Sequence, residues 1–164
     1  MFFKSIQKFS FLCILSIIKI FPPYAEKSSA ISKSVLEKFY TFYLSTIAKK
    51  MSYAYLTEEF FTRLDPKQTL IICAEQDDKT IAMALFFYNK DTLYGRLWGI
   101  LPGYKQRFPF LHFVLCNYQG IDFCIMDDLK LFEAGAQGEH KISRGFKPTR
   151  TYSAHKLKIP QIHQ

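Results

Sequence analysis

Residues 69–99 read TLIICAEQDDKTIAMALFFYNKDTLYGRLWG. Three runs rich in β-branched and aromatic residues, 69–76, 80–88 and 92–99, are separated by Asp77-Asp78-Lys79 and Asn89-Lys90-Asp91. Runs of that length bounded by Asp, Asn and Lys clusters are strands, and turns this short join them as an antiparallel meander. In the third run, strict alternation puts Tyr94, Arg96 and Trp98 on one face and Leu93, Gly95 and Leu97 on the other. Gly95 and Gly99 leave the backbone there open to close approach.

Helical patterns flank the meander. Leu36, Phe39, Tyr40, Tyr43, Leu44 and Ile47 form one apolar stripe, with Ser34 and Glu37 as a capping box and Lys49 and Lys50 at the dipole's negative end. A second, short helix runs from Thr57 as N-cap to Leu64, ahead of Asp65-Pro66. Beyond a loop holding Pro102, Gly103 and Pro109, the stretch 111–128 carries Val114, Tyr118, Ile121, Ile125 and Leu129 at helical spacing. A returning strand follows at 130–134, and a last strand is expected near 151–158. The order predicts an α+β fold with helices against a mostly antiparallel sheet.

Composition sets outer bounds. A chain of 164 residues, 49% hydrophobic and 22% charged, suits one globular core and not a disordered chain. The net charge of +8 divides into +6 over 1–50, −3 over 51–135 and +5 over 136–164. The basic ends suit an anionic ligand or a solvated face. No Arg-rich run, zinc-finger spacing or RNA-binding aromatic motif marks a nucleic-acid binder. Cys13, Cys73, Cys116 and Cys124 lie in apolar runs without metal-ligand spacing and read as reduced core residues. Residues 1–30 combine Lys4 and Lys8, an apolar run and Pro22-Pro23, which resembles a secretory signal but is interrupted by Lys19. The expectation is a signal-like or degenerate stretch at 1–30, a domain at 31–158 and a tail at 159–164, in the cytoplasm, with export as the alternative.

The densest chemistry lies at 133–155. Glu133, Gln137, Glu139, His140, Lys141, Arg144, Ser153 and His155 are interleaved with Gly135, Gly138 and Gly145. Glycines let a backbone bend close to a ligand, Glu139 and His140 supply bases, and Lys141 and Arg144 can neutralise an anion. His112, between apolar neighbours, reads as a core histidine.

The strings PFLHF at 109–113, NYQGID at 117–122, GAQGEHK at 135–141, RGF at 144–146 and TYSAH at 151–155 resemble the FemAB-like family of bacterial proteins. Upstream, FYTFY at 39–43, YLTEEFF at 55–61 and LYGRLWG at 93–99 fit as well, so the resemblance spans about 31–155. It implies an acyl-CoA N-acyltransferase (GNAT) fold and transfer of an acyl or aminoacyl group to a small-molecule or peptidoglycan-precursor amine. The donor implied is acyl-CoA or aminoacyl-tRNA, with no permanently bound cofactor, and nucleic acid enters only as that tRNA. Under this reading Glu139 or His140 is the base and His155 a second one. Gly99, Gly103, Lys105 and Arg107 hold the donor, while Arg96, Gln137, Lys141, Arg144 and Ser153 contact substrate. Family members are generally longer, with a further acyltransferase-like half, and Lys156 stands where an aromatic is usual. This leaves a separate chain supplying that half, or a noncatalytic remnant of the same fold, as alternatives.

Overall fold

The computed structural model describes residues 19–21, 31–49, 51–135, 139–150, 152 and 154. Its frame is a five-stranded sheet in the order β1-β2-β3-β4-β5. The meander is β2 (Thr69–Gln76), β3 (Lys79–Tyr88) and β4 (Thr92–Ile100). Asp77 and Asp78 both take left-handed φ, +51° and +57°, between the paired Gln76 and Lys79. Two such residues match the strand twist, which is why a two-residue loop suffices and Lys79 joins β3. At the next turn the Asn89 side-chain oxygen accepts from the Asp91 and Thr92 amides at 3.0 and 2.8 Å. That local bond substitutes for a ladder and reverses the chain.

Two short strands complete the sheet. β1 (Lys19–Phe21) pairs antiparallel with β2, Lys19 opposite Glu75, so the stretch expected to stand apart at 1–30 contributes an edge strand. β5 (Leu131–Glu133) runs parallel to β4 over only Thr92–Tyr94. The amides of Lys130 and Leu131 both donate to Asp91 O, which fixes where β5 enters.

Both sheet faces are covered, so β3 is buried continuously from Thr80 to Phe86 and shows no polar alternation. On one face lie α1 (Lys33–Lys49) and α2 (Glu58–Thr62). Leu36, Phe39, Phe42, Tyr43 and Phe61 pack there on Ile71, Met83 and Leu85. The stripe expected on α1 is rotated: Phe42 is buried and Leu44 exposed. The start is also earlier, because Ser32 rather than Ser34 accepts from the Val35 amide. α2 begins as expected, with the Thr57 hydroxyl accepting from the Phe60 amide.

Gly99 explains the rotation. A Cβ there would lie 2.1 Å from the carbonyl oxygen of Phe42, so α1 crosses β4 at backbone contact. Thr46 and Ser45 then donate to the Trp98 and Ile100 carbonyls, at 2.8 and 3.2 Å. The space that Gly99 opens is filled by a helix and is closed to a ligand.

On the other face, Leu111, Val114, Leu115, Phe123 and Cys124 cover Leu70, Ile72, Ala84 and Leu93. They belong to α4 (Leu111–Phe113), a π turn at Val114–Tyr118 and α5 (Gln119–Met126), preceded by the short α3 (Tyr104–Arg107). The π turn adds one residue to a helical turn and rotates the rest of the helix. Ile125, expected inside, is therefore 74% exposed, and Phe123 and Cys124 are buried instead. β4 carries a matching irregularity: Leu85 pairs with Leu97 but Phe86 with Gly95, so Arg96 is an extra, bulged residue. A bulge reverses the side-chain alternation beyond it. Trp98 accordingly shares the face of Leu93, where strict alternation had placed them on opposite sides.

Candidate active site

β4 and β5 stop pairing after Tyr94 and Glu133, although β4 runs on to Ile100. Gly95 stands at the fork, its Cβ position 3.5 Å from Glu133 O. Two residues later Gly135 takes φ +86°, a value that strains other residues, and turns the chain away. The fork is bounded on β4 by the exposed bulge residue Arg96 and the half-buried Trp98.

The helix 111–126 lies across this fork. His112 meets the Trp98 ring edge-on at 4.6 Å and Phe113 at 5.3 Å. A 3-10 helix, Glu139–Arg144, brings His140 to 6.1 Å from His112 and 5.3 Å from Phe113, centroid to centroid. The Arg144 guanidinium lies 3.7 Å from the Phe113 ring centroid and donates to His140 O at 2.6 Å. Lys141 donates to Gly135 O at 2.8 Å, which ties the 3-10 helix to the end of β5. Gly145, at φ +92°, ends the helix, and Phe146 folds back onto Phe132 at 5.2 Å.

The electrostatics are one-sided. His112 is held down to about 4, first by burial and then by His140, Lys141, Arg144 and Lys105. Its imidazole is neutral at pH 7. Burial also lowers Lys141, with Cys116 opposing, and raises the Cys116 thiol far above its usual range, so that thiol is not a nucleophile here.

The residues singled out in the sequence separate into three places. His140, Lys141 and Arg144 stand together at the fork beside Arg96's strand, and Glu139 opens the same 3-10 helix with an exposed side chain. Gly103, Lys105 and Arg107 form the turn leading into the helix, with Gly103 at φ +84° and nothing within 4 Å of its Cβ position. Gly99 is packed under α1 as described. Gln137, Ser153 and His155 lie outside the described residues, as does most of the strand expected at 151–158.

Three site residues escaped the sequence reading: Trp98, His112 and Asn117. Asn117, in the π turn, is 1% exposed, and its Nδ2 has no hydrogen-bond partner among the described residues. It lies one turn from Phe113 and one turn from Gly120, whose Cβ position touches Phe132 and Leu93 beneath the β4–β5 pair. An amide in an apolar helical run was the available signal. Among the described residues, no group of three or more His, Cys, Asp or Glu is placed to hold a metal, and no helix is long and apolar enough to cross a membrane.

A family model for peptidoglycan biosynthesis and recognition, FemAB-like, matches residues 24–164. The chain belongs to the FemAB-like family. Among solved structures, this FemAB-like chain is similar to an aminoglycoside acetyltransferase from an uncultured soil metagenomic sample in complex with sisomicin, at TM-score 0.62 and 10% identity. The match covers 88% of this chain and 99% of that one. A ribosomal-protein-alanine N-acetyltransferase from Brucella melitensis biovar Abortus 2308 matches at TM-score 0.57 and 10% identity, covering 87% and 99%. An aminoglycoside N-acetyltransferase in complex with CoA matches at 0.53 and 13%, covering 87% and 95%. No curated protein sequence matches the chain. The FemAB-like chain thus has the GNAT acyl-CoA N-acyltransferase fold, a mixed sheet with flanking helices, as the resemblance had implied.

Proposed function

We propose that the protein is an N-acyltransferase that moves an acyl group from a coenzyme A thioester to an amine, with peptidoglycan-precursor amines as the acceptor class. The observation that carries the reading is the fork between β4 and β5, with an imidazole pair against its mouth. Family membership supports the reaction class, and a neighbour in complex with CoA supports the donor. None of the three neighbours named above is described with aminoacyl-tRNA.

The residues of the 101–108 turn fit a phosphate-bearing donor. Gly103 is open, and Lys105 and Arg107 are exposed beside it. The bound donor supplies an activated thioester carbonyl. The amine nitrogen attacks that carbonyl, the C–N bond forms, the C–S bond breaks, and the departing thiolate takes up the proton that the nitrogen gives up. His140, exposed at the fork, accepts the ammonium proton, with Glu139 one residue away on the same 3-10 helix. Holding both reactants in place supplies much of the acceleration, and a positioned base adds about 100-fold or more. Lys105 favours the developing oxyanion.

The test is thiol release from acetyl-CoA with a panel of amines. His140→Ala is expected to lower kcat/KM by about 100-fold, and Glu139→Gln by less. No thiol release with any amine, from a chain that folds and shows no thermal shift with coenzyme A, sinks the reading and leaves the noncatalytic remnant.

A further inference from the structure

Among the described residues, the cations at the fork join no ion pair. His140, Lys141, Arg144 and, from the neighbouring turn, Lys105 all lower His112. Among the described residues, four cations elsewhere pair with acids: Lys19 with Asp78, Lys33 with Glu37, Arg63 with Glu59, Lys130 with Asp128. None of the ion pairs among the described residues involves the fork cluster. Glu139, the one acid of the 3-10 helix, is exposed and joins none of them.

How the cations are held sharpens the point. Lys141 and Arg144 are anchored by neutral groups, the carbonyls of Gly135 and His140 and the face of Phe113, which fix their direction and leave their charge uncompensated. The Arg144 Nε has no partner among the described residues. Both side chains are only partly exposed, so the repulsion between them is less screened than on an open surface. Like charges gathered this way oppose folding, and an oxyanion placed among them relieves that cost and gains charge-assisted hydrogen bonds.

We infer that Lys141 and Arg144, next to His140, form an anion subsite beside the acyl-transfer fork, and that the acceptor is an acidic amine whose carboxylate or phosphate docks there. Naming the anion as part of the acceptor rests on the N-acyltransferase reading; the subsite itself does not. A guanidinium seated on an aromatic ring offers a carboxylate the N–H groups it does not spend on His140 O and Ser143 Oγ, and Lys141 takes a further oxygen contact or a phosphate. A polycationic amine meets repulsion at the same place.

The full chain is titrated at pH 7 with sodium acetate, sodium phosphate or sodium chloride at matched ionic strength, following the imidazole resonances by NMR. Saturable movement of the His112 and His140 signals with acetate or phosphate, and none beyond drift with chloride, is the expected result. The tighter of the two anions identifies the group as carboxylate or phosphate. Lys141→Gln and Arg144→Gln, each on the exposed 3-10 helix, should each weaken that binding about tenfold. Shifts indistinguishable from the chloride control overturn the inference, as does unchanged affinity in both variants. Acyl transfer to glutamate against spermidine then tests the acceptor: faster transfer to spermidine overturns the acidic-amine assignment. Saturable anion binding without transfer to either amine would retire the enzyme reading and keep the subsite.

Discussion

Replacing His112 by Phe should flatten the acid limb of the stability curve. In the folded chain this imidazole titrates at about 4, held down chiefly by burial and further by His140, Lys141, Arg144 and Lys105; in an unfolded chain it titrates near 6.5. Between those values the unfolded state binds the proton and the folded state does not, so stability is full above about pH 6.5 and is lost as pH falls toward 4. At 1.36 kcal/mol per unit the gap is worth up to ~3 kcal/mol, and because His112 is partly exposed, relaxation of nearby water trims this to roughly 1–3 kcal/mol. Phenylalanine keeps the ring contacts to Trp98 and Phe113 while deleting the titration. Urea unfolding at pH 7.0, 6.0, 5.0 and 4.5, compared between the two proteins, isolates His112 from the carboxylates that titrate in both. Salt should reduce the effect only in part, since burial is the leading cause and ions do not screen it. Parallel loss of stability in the two proteins, or an NMR midpoint for His112 at 6 or above, would refute the reasoning.

Other substitutions test the frame. Gly99→Ala drives a methyl into the Phe42 carbonyl and should cost about 3 kcal/mol or more in chemical denaturation, or prevent folding, because backbone cannot yield as a side chain can. Tyr43→Phe removes the hydroxyl that accepts from the Tyr55 and Leu56 amides at 3.1 and 3.2 Å; a loss of about 1–2 kcal/mol and faster hydrogen exchange at those two amides are expected. Asn117→Leu deletes a buried amide without a partner among the described residues, so the thermal midpoint should hold or rise while acetyl transfer falls about tenfold. A fall in both would make the amide structural.

The fold was legible where local rules and tertiary packing agree. Asp77-Asp78 and Asn89 fix their turns by backbone preference and a short side-chain bond, and Thr57 caps its helix, so those turns and that cap read correctly from the sequence, with Lys79 passing from the turn into β3. Legibility failed where one extra residue enters a periodic element. The bulge at Arg96 and the π turn at 114–118 each shift the phase, and periodicity arguments carry no term for an insertion. Hence Trp98 was assigned to the wrong face and Ile125 to the core. The site was half legible: Lys141, Arg144 and His140 stand out as polar residues among glycines, whereas His112 looked like packing because its neighbours in sequence are apolar. It is packed, against Trp98, and it also faces His140 across the fork. Burial and a place at the candidate site are not alternatives for this side chain.

The two insertions are linked through the sheet. β4 has to present no side chain to α1 at residue 99, where the helix backbone touches the strand, and an aromatic wall to His112 at residue 98. Leu93 and Ile100 must both face the core on the His112 side. Residues 93 and 100 differ by an odd number, so no unbroken strand places both on one face. Arg96 absorbs the mismatch as an unpaired residue, and by bulging it stands exposed where β5 leaves off. The helix overhead meets the same problem: it must bury Leu115 over β2 and β3, and Gly120 and Cys124 against Phe132 and the Leu131 carbonyl of β5. The π turn supplies the rotation between those halves and leaves Asn117 buried with its Nδ2 unpartnered among the described residues. Each irregularity therefore answers packing against the sheet: the bulge leaves the Arg96 guanidinium exposed where β4 and β5 part, and the π turn leaves the Asn117 amide buried against the sheet.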